Sequence, residues 1–175
     1  MILEVDGPGA LTVRRIAAAA GMSTMNVYSR FGGKGGVIDE LYCEGFQLLH
    51  TYGANHPKSA DPIANFRAPG VAYRDFALAN RGFFALMFMG PIPGYVPSSV
   101  ASRVALDRFD ELTTRMSEMI DAGEVAKGNP HDVAASHWAT CHGHVGLEIS
   151  TVGPTDIDWE TRLFESLDAL RMFGS

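Results

Sequence analysis

The sequence is poor in cysteine: among its 175 residues there are only Cys43 and Cys141. They are too few for a disulfide framework and too far apart for a CxxC metal or redox motif. Long apolar runs are also missing, since the most apolar stretch, residues 83–89, is followed by Gly90 and Pro91. A bilayer span needs about 20 apolar residues, and the N-terminus lacks the basic and apolar regions of a signal peptide. We therefore expect a cytoplasmic protein that does not enter a membrane.

Acidic residues are absent from one part of the chain, although the formal net charge of the whole is -6. Residues 10–38 contain four basic residues and no acidic one, whereas residues 51–175 contain ten basic and fifteen acidic residues. The four basic residues are Arg14, Arg15, Arg30 and Lys34. This asymmetry predicts a small surface that faces a polyanion on an otherwise acidic protein.

No pair of alternating β-branched runs is joined by a hairpin turn, and helical spacing of apolar residues extends along most of the chain. The sequence therefore predicts an all-α fold of about nine helices. A kink or break is expected at Pro69 and Gly70, because proline cannot donate to the helical ladder. The predicted helices cover residues 1–6, 13–20, 24–30, 34 to beyond 46, 62–80, 83–89, 100–123, 130–150 and 158–173.

The short helices 13–20 and 24–30 are separated by Gly21, Met22 and Ser23, which is the spacing of a helix-turn-helix. The Ser23 hydroxyl is placed to accept the backbone N–H of Asn26 and so to cap the second helix. In such a unit the second helix enters the DNA major groove. Five side chains are expected to face the core between the two helices: Ile16, Ala17, Ala20, Val27 and Phe31.

The exposed positions of the second helix have side chains that suit base edges. Asparagine can bridge N6 and N7 of adenine, hydroxyls pair with either strand, and methionine offers a methyl contact to thymine. We therefore predict groove contacts from Ser23, Thr24, Met25, Asn26 and Tyr28. Phosphate contacts are predicted from Thr12, Arg14, Arg30 and Lys34, the last of which lies at a helix N-terminus.

Residues 11–34, LTVRRIAAAAGMSTMNVYSRFGGK, resemble the DNA-binding signature of the tetracycline-repressor family. Further along, residues 73–78 and the motif formed by Trp138, His142 and Gly143 are similar to one branch of that family's C-terminal domains. The resemblance implies a DNA-binding head at 1–48 and a ligand-sensing, dimerising body at 49–175. It further implies a homodimeric regulator of transcription, released from its operator by a small molecule, with neither enzymatic activity nor a cofactor.

Aromatic and methionine side chains from several predicted helices offer a lining for that small molecule. The predicted pocket residues are Phe76, Phe83, Phe84, Met87, Phe109, Trp138, Cys141 and His142. Residues 133–147 contain no formally charged side chain, which indicates a helix covered on more than one face. We expect this helix and the C-terminal helix to form a four-helix interface across a two-fold axis.

Two alternatives compete with this interpretation. His137, Cys141 and His144 share one helical face, with His142 beside them, so a metal-dependent sensor or enzyme is conceivable. No carboxylate on that face completes a site, however, and we expect no metal there.

The first helix is also about 15 to 20 residues shorter than in the family, which suggests a dimeric ligand-binding body that has lost DNA binding. The glycine-rich run 32–36 lacks the strand and the Ser or Thr of a nucleotide-binding loop.

Overall fold

The computed structural model describes residues 2–150, 154 and 156–172, and within them every regular element is helical, which confirms the all-α prediction. Met1 and Phe173, which end two of the predicted helices, lie outside the described residues. A 3-10 helix, Pro8–Ala10, was not predicted. The α-helices are α1 (Ile2–Asp6), α2 (Val13–Ala19), α3 (Thr24–Phe31), α4 (Lys34–Ala54), α5 (Pro62–Ala79), α6 (Arg81–Phe88), α7 (Ser99–Asp121), α8 (Pro130–Ser150) and α9 (Trp159–Met172).

The chain forms two compact units, each made of two segments. The first comprises Met1–Leu48 and Ala79–Leu106, and the second comprises Leu49–Leu78 and Asp107–Ser175. None of the helices in the described part of the chain is long and apolar enough to cross a membrane.

In the first unit, α1 packs closely against α6 at Gly82. A Cβ atom built on Gly82 would lie 2.6 Å from the carbonyl carbon of Leu3, so a larger residue would force the two helices apart. The Gly82 N–H donates to the Glu4 carboxylate at 3.1 Å. Because the first N–H groups of a helix have no intrahelical acceptor, Glu4 satisfies a donor that α6 leaves open. The buried apolar side chains of this unit include Leu3, Leu11, Ile16, Val27, Ile38, Phe46 and Phe84.

In the second unit, α5 is held to α8 and α9 by arginine pairs on one side. Arg74 donates to Glu148 of α8 at 2.7 and 2.9 Å and to Glu160 of α9 at 2.9 Å. Arg67 pairs with Asp168 of α9, with Nε donating at 2.8 Å. Both arginines form two-pronged bonds, the geometry in which guanidinium and carboxylate match best. The apolar core beneath these pairs includes Phe66, Phe76, Met116, Val145, Leu163 and Leu167.

Of the kink or break predicted at Pro69, the break is wrong, because α5 is continuous through Pro69. Proline has no N–H, and its ring also pushes on the preceding turn, which loosens the carbonyls three and four residues earlier. Those are the carbonyls of Asn65 and Phe66. Arg115 of α7 donates to Asn65 O at 2.9 Å, and His137 of α8 bonds Phe66 O at 3.0 Å. Side chains from two other helices thus replace the ladder bonds that Pro69 weakens.

The apolar side chains of α7 differ in their burial. Met116 and Met119 are buried, whereas Val100 is 69% exposed and does not belong to the core. Val100 lies one residue after the start of the helix, where the loop offers little cover. The start of α8 is capped by Asn129, whose Oδ1 accepts the backbone N–H of His131 at 3.0 Å.

Candidate nucleic-acid interface and ligand site

The helix-turn-helix is set by two hydroxyl caps and by glycines at its turns. Thr12 accepts the N–H of Arg15 and Ser23 accepts that of Asn26, each at 3.2 Å, so the predicted Ser23 cap is confirmed. Gly21 has a φ of 62° and Gly32 a φ of 71°, left-handed values that favour glycine and end each helix abruptly. The two short helices are therefore positioned by local sequence signals.

Helix α3 buries one side chain and exposes nearly all the others. Val27 is fully buried, whereas Met25 is 72% and Tyr28 56% exposed. The remaining groove candidates, Ser23, Thr24 and Asn26, are exposed as well. A helix that presents hydroxyls, an amide and a methionine to solvent has the chemistry needed to read base edges.

The inward-facing set is confirmed for most of its members. Ile16, Ala17 and Val27 are buried, and Phe31 is half-buried. Ala20 is exposed, so its placement in the core is wrong. It is the C-cap of α2, where the chain turns outward towards Gly21.

The basic side chains of this region differ in their surroundings. Arg15 pairs with Asp6 and is thereby tied to the end of α1. Arg14 and Arg30 are exposed, and Lys34 is half-buried at the first position of α4. Arg14, Arg30 and Lys34 belong to the predicted phosphate-contacting set, and Arg15 does not.

The turn between α3 and α4 depends on glycine. A Cβ atom on Gly36 would lie 1.8 Å from the carbonyl oxygen of Phe31, the last residue of α3. A Cβ on Gly35 would meet nothing within 4 Å. The close approach at Gly36 fixes where the recognition helix ends relative to α4, a requirement that the sequence did not reveal.

Three of the predicted pocket residues form a cluster of rings in the second unit. The Phe109 and Trp138 centroids are 6.0 Å apart, and those of Trp138 and His142 are 6.3 Å apart. Two further rings join the cluster, Tyr73 beside His142 and His131 beside Phe109 at 5.1 Å. Trp138 is 42% exposed, so a molecule in solution can reach it. We call these five side chains the aromatic cluster.

The aromatic cluster has a polar centre. Tyr73 Oη and His142 Nδ1 are 2.8 Å apart, and Trp138 also hydrogen-bonds the Tyr73 hydroxyl. Burial raises the pKa of Tyr73 and lowers that of His142, so both are neutral at pH 7. An aromatic site with a neutral polar centre suits an uncharged, flat or apolar molecule with one or two polar atoms. Tyr73 was not among the predicted site residues, although it stands in the motif at 73–78.

The other predicted pocket residues are not among the five side chains of this cluster. Phe76 is buried and packs edge-on against Tyr52 at 5.9 Å in the second unit. Cys141 is buried 3.6 Å from His137 Nδ1, and burial raises its pKa to about 12, which makes the thiol inert. Phe83, Phe84 and Met87 are buried in the first unit, on α6.

The histidines of α8 each have a structural partner. His137 bonds Phe66 O, His142 bonds Tyr73, and His144 contacts Thr140 O at 2.9 Å and Ser166 at 3.3 Å. Among the described residues, no group of three or more His, Cys, Asp or Glu side chains is arranged to hold a metal ion. The geometry of α8 therefore gives no support to the metal-dependent alternative.

Comparison with known proteins identifies the class to which this architecture belongs. Residues 66–170 match the sequence profile of the tetracyclin repressor-like C-terminal domain, and residues 1–41 match that of the bacterial regulatory proteins of the tetR family. The chain therefore belongs to the tetR family of bacterial regulatory proteins. Members of this family are DNA-binding regulators of transcription, not enzymes, and ligand-responsive repression is typical of them.

Solved structures share the fold of this chain. A protein of unknown function from Rhodococcus sp. RHA1 is 26% identical, with a TM-score of 0.75, covering 97% of this chain and 90% of its own. A bacterial regulatory protein of the tetR family from Rhodococcus RHA1 is 19% identical, with a TM-score of 0.73 and coverages of 99% and 93%. The TetR family transcriptional regulator PfmR from Thermus thermophilus is 18% identical, with a TM-score of 0.70 and coverages of 93% and 88%. No curated protein matches the sequence significantly.

Proposed function

We propose that this chain is a cytoplasmic, homodimeric repressor that reads an operator with α3 and is released by a small molecule bound at the aromatic cluster. The observation that carries the DNA-reading part is α3 itself, which is capped at Ser23, anchored by Val27 and otherwise exposed. We assign DNA binding to residues 1–48 and effector sensing and dimerisation to residues 49–175.

Contacts to DNA divide into two kinds. Ser23, Thr24, Met25, Asn26 and Tyr28 are proposed to face base edges and to give sequence preference. Thr12, Arg14, Arg30 and Lys34 are proposed to hold phosphates and to set the register of the helix in the groove.

Dimerisation is proposed through α8 and α9. Ala139, Gly143 and Leu147 follow one another at i, i+4 and i+8 on α8, and all three are exposed, Leu147 by 50%. Small residues at this spacing permit a close approach of a second helix, and the absence of charge between Val133 and Leu147 makes that face suitable for burial. A two-fold axis would then present two recognition helices about 34 Å apart, one helical turn of DNA.

The effector is proposed to act by population shift. The dimer has one form in which the two α3 helices match the groove spacing and another in which they do not. A ligand that binds the aromatic cluster more tightly in the second form shifts the population towards it and so releases DNA. Phe109, Trp138 and His142 are the proposed contacts, with Tyr73 as an addition from the structure. The proposed involvement of Phe76, Phe83, Phe84, Met87 and Cys141 in the pocket stays a prediction. The Trp138 and His142-Gly143 motif is proposed to mark a branch of the family that shares this cluster.

The experiment that tests the function is selection of duplexes from a randomised pool, followed by fluorescence anisotropy and light scattering. We expect a palindromic sequence to be enriched and bound by a dimer, and Asn26→Ala to lose preference for it. Leu147→Glu should yield monomers with weakened DNA binding, while Leu106→Glu, an exposed leucine outside α8, serves as its matched control. If no sequence is enriched and the protein is dimeric, the chain is a ligand-binding body without DNA binding.

A further inference from the structure

A polar cavity of about 230 Å³ lies in the second unit, next to the start of α5 and the C-terminal half of α7. It is lined by Lys58, Ser59, Asn65, Arg115, Glu118, Met119, Ala122 and Glu124. No side chain of the aromatic cluster is among them. The cavity is therefore a separate place from the proposed effector site.

Arg115 is a half-buried cation in the cavity wall without a carboxylate partner. Its Nη2 donates to the neutral carbonyl of Asn65 at 2.9 Å, and within the described part of the chain no carboxylate oxygen lies at ion-pair distance from it. A guanidinium carries five N–H donors in a planar fork, so most of its donor capacity is unused by that one bond. Burial lowers the pKa of Arg115, and Glu118 counters this only partly.

The nearby charges do not satisfy Arg115. Glu118 is bound to Lys58 Nζ at 2.6 Å, and both of these side chains are exposed. Glu124, the second carboxylate of the lining, is not among the groups that shift the pKa of Arg115. Since Lys58 and Glu118 neutralise each other, Arg115 and Glu124 are the remaining charged side chains of the lining, and of these two only Arg115 has N–H donors for an anion.

The wall around Arg115 is tied together by hydrogen bonds of Asn65. The Asn65 side-chain amide donates to Ser59 O at 2.7 Å, and its Oδ1 accepts the Ser59 N–H at 2.7 Å, so both ends of this buried amide are hydrogen-bonded to the same residue. The Asn65 carbonyl is available to Arg115 because Pro69 supplies no N–H to it. Arg115 is therefore positioned by its bond to the Asn65 carbonyl before any ligand binds.

We propose that this cavity binds a small organic carboxylate, whose two oxygens accept from the fork of Arg115. The chemistry follows from the planar match between guanidinium and carboxylate, which forms two parallel hydrogen bonds. The volume lies below the roughly 300 to 1,000 Å³ of sites for drug-sized molecules, so the acid has only a few carbon atoms. This site is additional to the aromatic cluster of the proposed function, and its binding can be measured on the protein without DNA.

The test is calorimetric titration of the full chain with succinate and with the neutral succinamide. Succinate should bind and succinamide should bind at least ten-fold more weakly. Glu118→Gln should tighten succinate binding about three-fold or more, because it removes a negative charge beside Arg115 and frees Lys58. Arg162→Met, which removes an exposed cation of α9 outside the cavity, is the control and should leave binding unchanged.

Arg115→Met should lower succinate affinity at least ten-fold, but it also leaves the Asn65 carbonyl without its donor. The double variant Pro69→Ala with Arg115→Met restores a backbone N–H for that carbonyl, and it is compared with Pro69→Ala alone. Equal succinate affinity in these two proteins, equal binding of succinate and succinamide, or weaker binding by Glu118→Gln would each overturn the proposal. The last result would show that the Glu118 carboxylate favours succinate binding, which an anion bound at Arg115 does not allow.

Discussion

Helices α3 and α5 are stabilised in opposite ways. Helix α3 is capped by Ser23, three residues before the N–H it accepts, and ends at Gly32, so its shape depends on bonds within ten residues. Helix α5 contains Pro69 and stays continuous with donors that lie 50 and 71 residues away in the sequence, Arg115 and His137. The two ends of α3 are thus set by nearby residues without donors from distant helices. A helix completed by distant side chains depends on where α7 and α8 are, and such dependence suits a body that must respond to a ligand.

The largest effect expected from this contrast is acid destabilisation through His137. Burial lowers its pKa from 6.5 to about 4 in the folded protein, chiefly because the charged ring would lose its hydration. Above pH 6.5 the ring is neutral in both states. Between pH 6.5 and 4 the unfolded chain binds the proton more tightly, so stability falls as pH falls, and below pH 4 this loss is complete. At about 1.4 kcal/mol per pKa unit, the full loss is roughly 3 kcal/mol.

The comparison with His137→Gln isolates this contribution from the carboxylates that also titrate in acid. Glutamine keeps an N–H that can donate to Phe66 O but has no charge to gain. Urea unfolding at pH 7, 5.5 and 4 should show a steeper decline of the unfolding free energy for the natural chain. Parallel declines would mean that His137 is hydrated in the native state and does not close the Pro69 turn from a buried position.

A loss of stability of similar size is expected from a substitution at Gly36, where α4 meets the end of α3. Gly36→Ala brings a methyl group against the backbone carbonyl of Phe31, which cannot move without shifting α3. We expect a loss of about 2 kcal/mol or more in stability and a marked loss of DNA affinity. Gly35→Ala meets no atom and should stabilise α4 by up to about 1 kcal/mol through helix propensity. Thermal melts of both variants decide the matter: equal melting temperatures would refute the close approach at Gly36.

The salt dependence of DNA affinity distinguishes the proposed base contacts from the proposed phosphate contacts. Asn26→Ala should cost about 1 to 3 kcal/mol of discrimination between the selected and a scrambled duplex. Lys34→Ala should weaken both duplexes alike and lower the slope of log affinity against log salt by about one unit. Anisotropy titrations at four salt concentrations measure both quantities. Equal losses on both duplexes for Asn26→Ala would show that this residue faces the backbone and not the bases.

The structural features that could be predicted from the sequence are those that depend on nearby residues, and the features that were missed depend on distant ones. The helix-turn-helix could be located because hydroxyl caps, Gly21 and Gly32 act within a few residues. The all-α class and the bounds of α8 were accessible for the same reason. The break at Pro69 was wrongly predicted because nothing near Pro69 in the sequence announces Arg115 or His137. The close packing at Gly36 and Gly82 was also missed, since glycine does not reveal which backbone approaches it.

The candidate ligand site shows the same limit. Aromatic composition identified Phe109, Trp138 and His142, which do come together, but it did not distinguish them from Phe76, which is buried against Tyr52, or from Cys141, which is buried beside His137. Periodicity tells which side of a helix is apolar and not whether that side meets a partner or a cavity. The aromatic cluster is distinguished by its polar centre on Tyr73, and that centre exists only once α5 lies beside α8.

The smallest predicted effect concerns the cap that makes α3 self-sufficient. Ser23→Ala removes the acceptor for the Asn26 N–H and should cost about 1 kcal/mol of stability. Ser29→Ala is the matched control, because the Ser29 hydroxyl donates only to Asn26 O in its own helix at 3.2 Å, an acceptor that the helical ladder can serve. Its loss should be close to neutral or slightly stabilising, since alanine has the higher helix propensity. Chemical denaturation of the two single variants provides the measurement. If Ser29→Ala is as costly as Ser23→Ala, then α3 is stabilised along its exposed face and not at its cap.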